Sequence, residues 1–128
     1  MAKFFNYKTY KPGFFSIFKS YQHATMKYLW SIGEAGGSSG DAWKHVNDAI
    51  APKTISRASI IFFLQDMVAV GVVGFTMGTG KGGHHRIYTP IISESDFGHF
   101  LSKLIIKNLM DGFPEGTKKA MWEVQRGR

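Results

Sequence analysis

Apolar residues fall at Phe14, Phe18, Tyr21, Thr25, Leu29 and Ile32, flanked by Phe15, Met26 and Trp30. Steps of three and four place them along one stripe of a helix, and Gly36 and Gly37 are expected to end it. In "SSGDAWKHVNDAIAP", Ser38 or Ser39 reads as an N-cap and Asp41 sits in the first turn, where the helix dipole favours an acid. Trp43, Val46 and Ile50 face inward, and Pro52 closes this second helix. A third is predicted in "TISRASIIFFLQDMVAVG": Ser56 caps it, Ile60, Phe63, Leu64 and Met67 form the buried face, and Gly71 is the stop. Its first turn leaves Ser56, Arg57 and Ser59 exposed.

The period then changes. "VVGFTM" and "HHRIYT" read as short strands joined by a mobile glycine loop, "GTGKGG", and Pro90 ends the second. "SESDFGHFLSKLIIKNLMDG" returns to helical spacing, with Ser93 and Asp96 as a capping-type start and Phe97, Phe100, Leu101, Leu104, Ile105 and Leu109 as a broad apolar face. In the last segment, "PEGTKKAMWEVQ", Pro114 leads and Met121, Trp122 and Val124 are available to pack. Three helices, a hairpin and further helix predict an α+β chain with the winged helix-turn-helix order: a basic aromatic arm over 1–20, the three helices and hairpin over 21–92, and dimerisation helices over 93–128.

A composition of 44% hydrophobic and 20% charged residues is that of a chain that folds around a core. Without cysteine there is no disulfide, thiolate metal site or cysteine nucleophile. The start, "MAKFFNYKTYKPGFFSIFKSYQ", does not read as a secretory signal, and the longest apolar run is broken by Gln65 and Asp66, short of a membrane span. A soluble, cytoplasmic protein is expected.

The glycine loop is not a phosphate cradle. A P-loop needs glycine, four residues, then Gly-Lys-Ser/Thr. Here Gly82 follows Lys81 and Phe75 stands where the first glycine belongs. Adjacent His84 and His85 point to opposite faces of a strand, and His23, His45 and His99 are dispersed, so no metal or other cofactor is expected. No nucleophile motif appears, and the chain is not expected to be an enzyme.

The net charge is +7, distributed unevenly. Residues 1–33 hold five lysines and no acid; 34–52 hold three acids and one lysine; 53–90 hold four bases and one acid. The excess in the arm and around the hairpin suits a polyanion. Lys81 and Arg86 are placed to meet phosphates as a wing does, with His84 beside them. Lys53, Thr54, Ser56, Arg57 and Ser59 gather at the start of the third helix, where Arg57 is suited to guanine. Ile61 and Phe62 lie off its core face. Packing on the arm is favoured for both over contact with thymine methyls, although Phe62 stays in the DNA-facing set.

"KTISRASIIFFLQDMVAVGVV", the glycine-tipped hairpin and "RIYTPIISESDF" together resemble the penicillinase-repressor family of winged-helix regulators. The "ISRAS" start is also similar to that of multiple-antibiotic-resistance regulators. The resemblance spans residues 25 to 109, and its most specific part is Tyr88-Thr89-Pro90 with Glu94-Ser95-Asp96-Phe97. It implies a homodimeric repressor of double-stranded DNA, with Ser56, Arg57, Ser59 and Phe62 on the recognition helix, Lys81 and Arg86 on the wing, and a dimer arm from Asp96 onward. The broad face of Phe97, Phe100, Leu101, Leu104 and Ile105 is expected to meet a second chain, with Trp122 closing one side. This wing is longer and richer in glycine than the family pattern, the recognition helix more apolar, and the arm additional. Two other readings stand beside this one: a winged-helix module that binds a protein through Ile61 and Phe62, and a membrane-surface protein using "KFFNYKTYKPGFFSIFK".

Overall fold

Gly13, at φ +65°, sends the chain into a 3-10 turn, Gly13–Ser16, which the Ser16 hydroxyl closes by donating to the Gly13 carbonyl at 2.7 Å. Lys19 is extended, and its N–H donates to the Gln22 side chain at 2.8 Å as α1 (Ser20–Ile32) begins. The predicted first helix is therefore two pieces. Its stripe survives the break because the aromatic residues still converge: Phe14 lies 5.4 Å from the Trp30 ring and Phe18 5.6 Å from that of Phe63. Ser16, Ile17 and Phe18 are buried, so the core takes in the end of what reads as a separate arm over 1–20.

The computed structural model describes residues 5–80 and 83–127. Within them it is α+β, with five α-helices and one antiparallel hairpin. Two compact units divide the chain, Met1–Glu94 and Ser95–Arg128.

In the first unit α1 ends at Gly33 (φ +58°), a 3-10 turn (Gly33–Ala35) carries the run on to Gly36, and Gly36 and Gly37 serve a further purpose. Gly37 exchanges both backbone hydrogen bonds with Tyr88, at 3.0 and 2.8 Å, so the linker adds one antiparallel bridge to the hairpin. Gly36 has φ +70°, and a Cβ there would lie 2.6 Å from Ile87 and 3.0 Å from the Tyr88 carbonyl. Only glycine lets the chain run that close. Helix α2 (Ser39–Ile50) is capped by Ser38, whose Oγ accepts the Asp41 N–H at 3.1 Å. Helix α3 (Arg57–Ala69) is capped in the same way by Ser56. It stops at Gly71 (φ +85°), where Gly71 N–H donates to Val68 and Val72 N–H to Met67, the paired bonds that satisfy the last carbonyls. The core between these helices holds Met26, Leu29, Val46, Ile60, Leu64 and Met67, all of them buried.

Strands β1 (Val73–Gly80) and β2 (Gly83–Pro90) pair from Val73↔Pro90 to Gly80↔Gly83. The expected mobile loop of 78–83 is thus mostly ladder. Glycine serves there as a spacer, since a Cβ at Gly78 would stand 3.0 Å from the Ile87 side chain. At its base the hairpin buries Val73 and Tyr88, and beyond them it is mostly exposed, with Gly78 and Ile87 half-buried.

In the second unit, α4 runs from Glu94 to Gly112, its first residue counted with the first unit, and α5 covers Pro114–Gln125. Pro114 opens α5 where an N–H would lack a partner, and Thr117 N–H donates to Phe113 O at 2.9 Å. Among the described residues no helix is long and apolar enough to cross a membrane.

His23 on α1 sits between Phe14 and Phe15, with ring centroids 4.9 Å away in both cases, and its Nε2 is buried with no hydrogen-bond partner. Burial, and then the charge of Lys27, lower its pKa, with Glu94 opposing. An imidazole held neutral in the fold binds fewer protons than in the unfolded chain. Its contribution is complete above the unfolded value, about 6.5, and is lost as pH falls from there through the lowered folded value. Urea midpoints of the unaltered chain should therefore fall more between pH 7.5 and 5 than those of His23→Phe; equal falls would remove His23 from the acid response.

Candidate nucleic-acid interface

The turn between α2 and α3 is held by Asn47. Its Oδ1 accepts the Ile55 N–H at 2.9 Å, and its Nδ2 donates to the carbonyls of Trp43 (2.9 Å) and Ile55 (3.3 Å). The Trp43 indole N–H also donates to Ile55 O, at 2.9 Å. The three bonds to Ile55 fix the start of α3 against α2. Sequence reasoning assigned Trp43 to the core and passed over Asn47; its spacing, two turns before Ile55, carries no signal until the turn is drawn.

Lys53 and Thr54 lie exposed on that turn. Ser56 Oγ accepts the Ser59 N–H at 3.1 Å and pairs with Ser59 Oγ at 2.9 Å. Between the two hydroxyls one proton is committed, which leaves one to donate outward. Arg57 is exposed, and no carboxylate pairs with it among the described residues. Its guanidinium lies beside the first turn of α2: a Cβ on Gly40 would be 3.4 Å from Nη2. A cation at the positive end of a helix dipole raises the local potential, and an anion seated there relieves it.

Along the rest of α3 the exposed residues are Ala58, Phe62, Gln65 and Ala69. Phe62 is 64% exposed and so is not packed on the arm, as had been expected; Phe14 and Phe18 are already engaged elsewhere. Ile61 is half-buried. Gln65, on the same face as Phe62, figured in the sequence reading only as a break in the apolar run. Its amide suits the edge of adenine, and its place off the buried stripe is the signal that finds it.

On the hairpin, His84 pairs with Thr79, His85 with Gly78 and Arg86 with Met77. Alternation puts His84 and Arg86 on the face that carries Phe75 and Met77, and His85 on the other. The Arg86 guanidinium stands 4.2 Å from the Phe75 ring centroid. That stacking steadies it while its N–H groups remain free to meet an acceptor at the edge of the plane. Lys81 lies outside the described residues. The first unit carries ten Lys and Arg against five Asp and Glu, the second six against four, so the excess cation sits in the first unit, over 1–33 and again over the stretch that holds α3 and the hairpin.

The residues assigned to a dimer face divide. Phe97 (1% exposed) and Leu101 (9%) are already covered in the single chain and have little surface left for a partner. Phe100, Leu104 and Ile105 are half-buried. Trp122 is 46% exposed, with the Arg126 guanidinium 4.3 Å above its ring. The open apolar surface of this unit is elsewhere, on the second half of α4 and on α5: Leu109, Phe113, Met121 and Val124 border a groove of about 600 Å³. A helical stripe shows that a face is apolar, not which of its residues its own chain covers.

No protein-family model matches the chain, and no curated protein matches it either.

Proposed function

We propose that the chain is a winged-helix protein that binds double-stranded DNA as a homodimer and represses transcription by occluding its site. The observation that carries this reading is the Gly37↔Tyr88 bridge. It gives the α1–α2 linker the place of a third short strand beside a hairpin that directly follows three mutually packed helices. In this reading α3 enters the major groove. Arg57 and Gln65 meet base edges, Phe62 meets thymine methyls, Ser56, Ser59, Lys53 and Thr54 meet the backbone, and Arg86 with Lys81 and His84 grips the flanking phosphates. Two chains associate through the α4–α5 surface, and their two α3 helices enter major grooves about one turn of DNA apart. The reaction-free mechanism needs no cofactor.

The exposure of Phe62 also favours a second reading, in which that face of α3 binds a protein; retained oligomerisation with no affinity for any duplex would select it. The membrane reading loses ground because Ile17 and Phe18, central to its apolar anchor, are buried in the core.

Fluorescence anisotropy of a labelled duplex tests the wing. Each neutralised phosphate contributes about 0.9 to the slope of log affinity against log salt. Lys81→Ala with Arg86→Ala should weaken binding to all duplexes alike and lower that slope by about two units. Unchanged affinity and slope would take the hairpin off the DNA.

A further inference from the structure

A groove of about 730 Å³ runs between α1 and α2, on residues that the DNA reading uses only at Lys53. That volume lies within the ~300 to 1,000 Å³ typical of small-molecule sites. On one side, the His45 ring lies against Tyr28 with centroids 4.5 Å apart and the planes tilted by 33°. The Asp41 carbonyl, 3.0 Å from His45 Nδ1, can only accept, so Nδ1 carries the proton and the bond holds the ring in place. Ile50 and Pro52 provide an apolar wall, and Lys27 and Lys53 provide positive charge. No aspartate or glutamate lines the groove. Lys27 already donates to Glu94 at 2.8 Å, whereas Lys53 is exposed and has no carboxylate partner among the described residues.

We infer that this groove binds a small planar aromatic anion, its ring against the Tyr28–His45 pair and its charge at Lys53. A phosphate or sulfate alone would leave the apolar wall unused, and a neutral ring would leave Lys53 without a counter-charge. Because Lys53 also stands in the DNA-facing set, an occupant would compete with a phosphate of the duplex. That consequence rests on the DNA reading; binding itself does not.

Two-dimensional NMR of the full-length chain, titrated with 2-naphthoate and with the neutral 2-naphthalenemethanol, tests the site without DNA. The expected result is shifts confined to α1, α2 and the α2–α3 turn, with naphthoate about tenfold tighter than the alcohol, since a hydrogen bond to a charged group contributes roughly that factor. Lys53→Gln should erase the preference and His45→Ala weaken both compounds, with melting temperatures unchanged because both side chains are exposed. Equal affinities, shifts on α4 and α5 instead, or no binding at millimolar concentration would overturn the site. Naphthoate that binds as expected but leaves duplex affinity untouched would overturn only the competition.

Discussion

A chain carrying Phe113→Asp and Val124→Asp is expected to sediment as a folded monomer at concentrations where the proposed function requires the unaltered chain to be a dimer. Both residues are open in the single chain, Phe113 to 68% and Val124 to 73%, so their removal leaves the fold intact. Burying a large apolar side chain contributes about 1.5 to 3 kcal/mol, and two-fold symmetry counts each residue twice. Scaled by exposure, the two substitutions remove on the order of 4 to 8 kcal/mol, against about 8 kcal/mol for a micromolar dimer. Desolvating the new carboxylates adds to the loss. Duplex affinity should fall with the dimer, by about 10²-fold or more, as the second half-site no longer binds intramolecularly. Leu101→Asp with Leu104→Asp, the pair the helical stripe singles out, should instead unfold the chain, because Leu101 is only 9% exposed. Circular dichroism separates the two behaviours. An unaltered chain that is monomeric at micromolar concentration would end the dimer reading.

Arg57→Ala is expected to weaken the preferred duplex by about 1 to 3 kcal/mol and relax its preference at one position per half-site, the loss associated with a bidentate contact to guanine. Arg57→Lys should restore part of the affinity and little of the preference, because an ammonium cannot reproduce the planar fork. Equal losses on preferred and random duplexes would reduce Arg57 to a phosphate contact. The side chain is exposed, so its removal leaves the packing of α3 unchanged.

What the sequence made legible was mostly local. Ser38, Ser56, Gly71 and Pro114 act within one turn of their own position, and each starts or stops a helix where its chemistry requires. The buried face of α3 was equally plain, because four apolar residues at helical spacing need no knowledge of their partner. The glycines misled where their role was set by a neighbour distant in sequence. Gly78 leaves room for Ile87 in the ladder and does not mark a loop, and Gly36 and Gly37 admit β2 besides closing the helical run. Asn47 was invisible for the same reason, since its partner is a backbone that only the folded turn brings near. At the candidate interface, Arg57 and Arg86 could be found by charge. Gln65 and the exposure of Phe62 needed the helix in place, and the open apolar surface moved from Phe97 and Leu101 to Phe113 and Val124 once the residues covered in the single chain were known.

Selection of bound duplexes from a random pool bears on DNA recognition and two-fold assembly together. The expected result is an enriched consensus with two-fold symmetry, its half-sites centred about one helical turn, ~10 base pairs, or a multiple of it apart. A pool that shows no enriched sequence after repeated rounds, its members bound no more tightly than random DNA, would contradict it.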